Sequence, residues 1–126
     1  MNKFQPDNLV RLIVKYEKSR LRIYTKRYKL LTEEEKNVCQ PLPCEDILQE
    51  LGWKRNGGGT LYHTEIDGYY LHWSGNEQLR FLLKMKHPEK DDFVHIHNVR
   101  YIHQLQNIVE TFTGIKLPNV DMLIKG

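Results

Sequence analysis

The residues with the most chemical capacity lie in FVHIHNVRYIHQLQN, Phe93 to Asn107, which holds three of the chain's six histidines. A His-x-His pair, His95 and His97, is followed six residues later by His103. Imidazole is the commonest protein metal ligand and titrates near neutral pH. Such a cluster is therefore the raw material of a metal-assisted hydrolase. Nothing else in the chain looks more like a reaction centre. Ser19 and Ser74 have no glycine elbow around them, and no Asp/Glu pair is placed by periodicity. The glycines of NGGG (Asn56 to Gly59) follow a helical segment and precede a strand, the reverse of a phosphate-binding loop. No cofactor signature is present, so the expectation is a chain without a cofactor, and one that is not an enzyme.

The elements that carry the histidines test the metal idea. Strand side chains alternate between faces. In FVHIH, Val94 and Ile96 share one face and His95 and His97 the other, so the apolar pair should face the core. In VRYIHQLQNIVETFTG, the residues Tyr101, Ile102, Leu105, Ile108, Val109 and Phe112 form an apolar helical stripe, with Asn98 as N-cap and Gly114 at the C-terminal end. His103 lies roughly 150° from the centre of that stripe, beside Asn107 and Glu110. Pair and single histidine should therefore diverge. The third ligand would have to be His72, which alternates away from Leu71 and Trp73. The candidate metal set is His72, His95 and His97. A sheet face with Tyr70, His72, Arg80, Lys84, His95 and His97 has another use, since mixed aromatic and basic groups stack bases and hold phosphates.

The rest of the chain reads as strands, turns and short helices. TLYHTEI and YYLHWSG flank Asp67-Gly68, the signature of a type I′ hairpin. QLRFLLKM predicts a third strand with Leu79, Phe81, Leu83 and Met85 on one face, and FVHIH a fourth. Thr32 and Glu35 have capping-box spacing, which predicts a helical turn over TEEEK. PCEDILQELGW predicts a short helix capped by Cys44, with Glu45 and Asp46 in its first turn and Ile47, Leu48 and Leu51 buried. Gly52 ends it and frees Trp53 to close over the core. A helix start would favour the Cys44 thiolate. The other cysteine is Cys39, and the two make neither a disulfide framework nor a zinc knuckle.

Charge is unevenly spread. Residues 1–30 hold nine Lys/Arg against two Asp/Glu, whereas the whole chain carries only +3. NLVRLIVKY fits a helix through Leu9, Leu12, Ile13 and Tyr16 or a strand through Val10, Leu12, Val14 and Tyr16, and the alternation of SRLRIYTKR with the β-branched residues of both runs favours a basic hairpin. Its cations Lys15, Lys18, Arg20, Arg22, Lys26, Arg27 and Lys29 are the candidate phosphate contacts. The same lysines would also protect a sheet edge from pairing. No apolar run reaches the length of a membrane span, and the first residues lack the apolar core of a signal peptide. A cytoplasmic protein with no membrane partner is expected.

The motifs PLPCEDILQELGW and VRYIHQLQNIVETFTGIKL resemble a set of small proteins of bacterial prophages and mobile elements. The shared tail is Y-V-H-x-L-Q-N-x-x-x-x-L-T-G, matched here at Tyr101, His103, Leu105, Gln106, Asn107, Thr113 and Gly114. Pro41, Leu42, Leu51 and Gly52 match the middle, where Cys44 replaces a threonine cap. Only Asn8 and Val10 fit the opening. The resemblance spans residues 41–117 and implies a mobile-element context without a reaction. It picks out His103, Gln104, Gln106 and Asn107 as a recurring polar helix edge, either a contact surface or a tie to a neighbouring loop.

The expected fold is α+β in a single domain. Residues 1–40 form a basic N-terminal β lobe, and residues 41–126 form a body with a small, mainly antiparallel sheet and the C-terminal amphipathic helix packed on one face. The expected function is that of a non-enzymatic binding or accessory protein whose partner is another protein or nucleic acid. The alternatives are a metal-dependent hydrolase using the sheet-face histidines and a structural homodimer formed through an open sheet edge.

Overall fold

The computed structural model describes residues 4–16, 20–56, 61–76, 78 and 80–124, without the side chains of residues 15, 16, 20 and 46. The fold is α+β, with a two-stranded hairpin, a five-stranded antiparallel sheet and a C-terminal helix. The chain forms two compact units, one from residues 1–43 and 101–126 and the other from residues 44–100. The C-terminal helix thus belongs to the unit of the N-terminal hairpin.

In the first unit, β1 (Leu9–Tyr16) pairs antiparallel with β2 (Arg20–Arg27) in the predicted hairpin. Val10 and Leu12 are buried with Leu31, and Phe4, Tyr24, Tyr28 and Cys39 pack against them. The outer edge of β1 is closed at its start. Arg11 exchanges both backbone hydrogen bonds with Gln40, at 2.8 Å each. The Leu9 N–H donates to a side chain of the last helix, Gln106 Oε1, at 2.9 Å. Helix α1 (Glu33–Val38) carries the predicted capping box: Thr32 Oγ1 accepts from the Glu35 N–H, and the Glu35 carboxylate accepts from the Thr32 N–H. Helix α2 (Ile102–Thr113) ends at Gly114 in the left-handed conformation, as its sequence predicts.

In the second unit, the strand order follows the chain: β3 (Lys54–Arg55), β4 (Leu61–Ile66), β5 (Tyr69–Ser74), β6 (Leu83–Lys86) and β7 (Phe93–Ile96). Asp67 and Gly68 both take positive φ, 48° and 86°, and close the β4–β5 hairpin in two residues. One face is apolar, with Leu71, Trp73, Leu83 and Met85 all fully buried. The Trp73 indole N–H donates to the Val99 carbonyl at 2.6 Å, which satisfies the polar atom of the largest buried side chain.

Several expectations are corrected. The predicted strand from Gln78 starts only at Leu83, because Arg80 and Phe81 take positive φ, 54° and 52°, and break the alternation. Leu79 lies outside the described residues, as does most of the NGGG turn. Strand β3 escaped prediction because two residues are too few to show a period. Val94 is 43% exposed and Ile96 only half-buried, since β7 is the last strand of the sheet. Asn98 is not the helix cap. It sits at φ 66°, and Tyr101 is the N-cap, its N–H taken by Gln104 Oε1 at 3.1 Å. The segment after Pro43 is a three-residue 3-10 turn, Cys44–Asp46, followed by further turns instead of a regular helix. Its apolar stripe Ile47, Leu48 and Leu51 is nonetheless buried, as is Trp53.

Candidate nucleic-acid interface

Register in the five-stranded sheet assembles the candidate site. Lys54 pairs with His63, His63 with His72, His72 with Lys84, and Lys84 with His95. Directly opposed residues share a face, so these five side chains form one row across all five strands. A second row on the same face is Glu65, Tyr70, Lys86 and Phe93. The site thus carries three lysines and three histidines against one carboxylate. Among the described residues, no salt bridge engages Lys54, Lys84 or Lys86. At about 3.4 Å of rise per residue, Lys84 and Lys86 stand about 7 Å apart along β6.

The aromatic members are arranged for contact. Tyr70 and Phe93 meet edge to face, with ring centroids 5.8 Å apart and planes at 81°. They lean together over Lys86, which pairs with both. Phe93 remains 39% exposed. Tyr70 also lies 6.3 Å from the His63 ring. His72, in the middle of the row, has its Nδ1 buried and without a hydrogen-bond partner. Burial lowers its pKa, and the nearby charges of Lys84 and His63 push it further the same way. It is therefore harder to protonate than an ordinary histidine.

The metal set does not assemble. His72 and His95 are on the same face but two strands apart, with Lys84 between them. His97 follows the end of β7 and is exposed. Among the described residues no group of three His, Cys, Asp or Glu side chains is placed to hold a metal ion. Arg80, expected on this face, lies in the positive-φ bend before β6. Sequence alone misses Lys54, Lys86 and Phe93, and it leaves His63 unassigned to a face because Leu61 and Tyr62 make its strand apolar on both sides; only the register of neighbouring strands aligns them with His72 and Lys84.

The hairpin cations are differently placed. Lys18 lies outside the described residues, and the side chains of Lys15 and Arg20 are not described. Arg27 is paired with Asp121, and Lys29 with Asp7 at 2.8 Å. Lys26 sits over the Tyr24 ring at 5.3 Å, and Arg22 is exposed on β2. The paired cations border a cleft of about 730 Å³ in the first unit, lined also by Asn8, Asn107 and Lys116. Asp7 bridges Lys29 and Lys116 there, and hydrogen bonds from Lys116 and Lys29 hold its carboxyl well below the usual range. Charge in this cleft cancels locally, whereas on the sheet face it does not.

The polar edge of α2 faces inward. His103 is only 4% exposed, contrary to the expectation from the helical stripe. Its ring sits edge-on to Phe4 at 4.7 Å and stacks with Tyr101 at 5.9 Å. Gln106 Oε1 accepts from the Leu9 N–H, and its Nε2 donates to the Asp7 carbonyl at 3.3 Å. The Asn107 and Asn8 amides hydrogen-bond each other at 2.9 Å. His103, Gln106 and Asn107 thus tie the helix to residues 4–9 at the start of the hairpin, while Gln104 caps the helix's own first turn. Cys44 is fully buried, and burial and the neighbouring Glu45 charge push its thiol far up, opposite to the thiolate expected at a helix start.

No protein-family model, curated protein or solved structure matches the chain. Among the described residues no helix is long and apolar enough to cross a membrane.

Proposed function

We propose that this chain is a non-enzymatic nucleic-acid-binding accessory protein whose five-stranded sheet is the binding surface. The observation that carries this reading is the row Lys54, His63, His72, Lys84 and His95, with Lys86 beside it and only Glu65 opposing. Cations without carboxylate partners are free to neutralise phosphates. The basic hairpin adds to the attraction at longer range, since Arg27 and Lys29 are already engaged. An accessory role in a phage or other mobile element, and with it a cytoplasmic location, is supported by the tail motif at Tyr101, His103, Leu105, Gln106 and Asn107. The neighbourhood of the gene tests it.

Binding to a random-sequence oligonucleotide across a salt series tests the reading. Three lysine–phosphate contacts to a single strand predict a slope of about −2 in log affinity against log salt, so a fourfold rise in salt weakens binding about 15- to 20-fold. Replacing both Lys84 and Lys86 by Gln should reduce the slope to about −0.7. Absence of binding at low salt would end the proposal. A second reading, self-association, is favoured by the one-sided edge strand β7 and by the exposed hairpin residues Leu21 and Ile23. Light scattering that finds only monomer at high concentration would remove it.

A further inference from the structure

The nucleic-acid reading leaves open which form of nucleic acid the sheet takes, and resting on that reading, we propose that the face holds a single strand, with one base seated in the notch between Tyr70 and Phe93 and the backbone running along the lysine–histidine row. The perpendicular rings carry the proposal. Two rings at 81° and 5.8 Å cannot both lie flat as successive stacking platforms. They form a corner, in which a base stacks on the face of one ring and is bounded at its rim by the other. A base within a duplex is stacked on both sides and cannot enter, so the notch selects for unstacked bases.

The surroundings fit the same occupant. The lysine–histidine row crosses four strand spacings, about 19 Å, which is room for several linked nucleotides. Lys86 lies beneath the notch on β6, between the strands of Tyr70 and Phe93, and Lys84 lies one row away on the same strand. The phosphates of the seated nucleotide and of its neighbour along the row therefore have cations within reach. The groups facing this position are His63 and Glu65 on β4, His72 on β5, Lys84 and Lys86 on β6, and His95 on β7. The lone carboxylate lies two strands from Lys86 and next to Tyr70 on the side away from Phe93.

Fluorescence anisotropy with oligothymidylate and with a duplex of equal length, at low salt, tests the proposal. Wild-type protein should prefer the single strand. Phe93→Leu keeps an apolar side chain on the exposed strand but removes the π system, and should weaken single-strand binding about tenfold, within the range for one stacked base. Tyr70→Leu should do the same, and the double variant should lose little more, because both rings serve one base. Circular dichroism would show that the variants fold. Duplex binding equal to or tighter than single-strand binding, or Leu variants that bind like wild type, would overturn the notch while leaving the nucleic-acid reading intact. Failure of wild type to bind either form would end both.

Discussion

Gln106→Leu isolates the hydrogen bonds that tie α2 to the hairpin, because leucine keeps most of the side-chain volume and removes both polar atoms. In the wild type, Gln106 Oε1 satisfies the N–H of Leu9, a residue with no exposed surface. Leucine leaves that N–H buried and unpaired, at a cost of about 1–3 kcal/mol. The second bond, Nε2 to the Asp7 carbonyl, is longer at 3.3 Å and only part-buried, so water can replace it. The sum is about 2 kcal/mol, most of it from the orphaned donor. Urea unfolding followed by far-UV circular dichroism should show the midpoint falling by about 1 M, given a slope of about 2 kcal/mol per M. Hydrogen exchange at the Leu9 amide should quicken by about thirtyfold if it opens with that loss. A variant within about 0.5 kcal/mol of wild type, with Leu9 exchange unchanged, would refute the claim that this polar edge is structural.

Three further outcomes follow from named contacts. Burial lowers the pKa of His103, so the unfolded chain takes up a proton more readily than the folded one. The stability contributed by its neutral form is present above pH 6.5 and is lost as pH falls below it. His103→Phe, which keeps an aromatic ring between Phe4 and Tyr101, should flatten that acid limb in a pH series of thermal melts. Cys44, fully buried with its thiol pKa raised, should resist an alkylating thiol reagent until the protein is denatured, while the half-buried Cys39 reacts faster in the native state; equal native rates would contradict the packing. A Cβ at Gly75 would come within 2.8 Å of the Trp73 ring, which is fully buried and cannot yield. Gly75→Ala should therefore destabilise by about 1–3 kcal/mol in denaturant titration.

Local features were the most legible in the sequence. Asp67-Gly68, the Thr32–Glu35 box and Gly114 act through bonds and dihedrals within a few residues, and each does what its type requires. Alternation also showed that His72 and His95 point away from their apolar neighbours. It could not show which residues stand opposite each other. Register depends on turn geometry and on the two left-handed residues Arg80 and Phe81, neither of them a preferred type for that conformation. The row from Lys54 to His95 therefore became visible only in the fold. His103 illustrates a different limit. A helical wheel locates the apolar stripe, but the adjoining polar edge is covered by Phe4 and by hydrogen bonds that the Leu9 N–H and the Asn8 amide donate to Gln106 and Asn107. Glutamine can be buried there because backbone partners are supplied, whereas His103 packs between aromatic rings with its Nδ1 buried and without a hydrogen-bond partner.

Amide chemical-shift mapping during titration with a short oligothymidylate at low salt addresses the binding surface directly. The largest changes should fall on Tyr70, His72, Lys84, Lys86, Phe93 and His95, and should fade as salt is raised. Changes confined to the hairpin or to the cleft around Asp7 and Lys116, with the sheet silent, would contradict the assignment of the five-stranded sheet as the nucleic-acid surface.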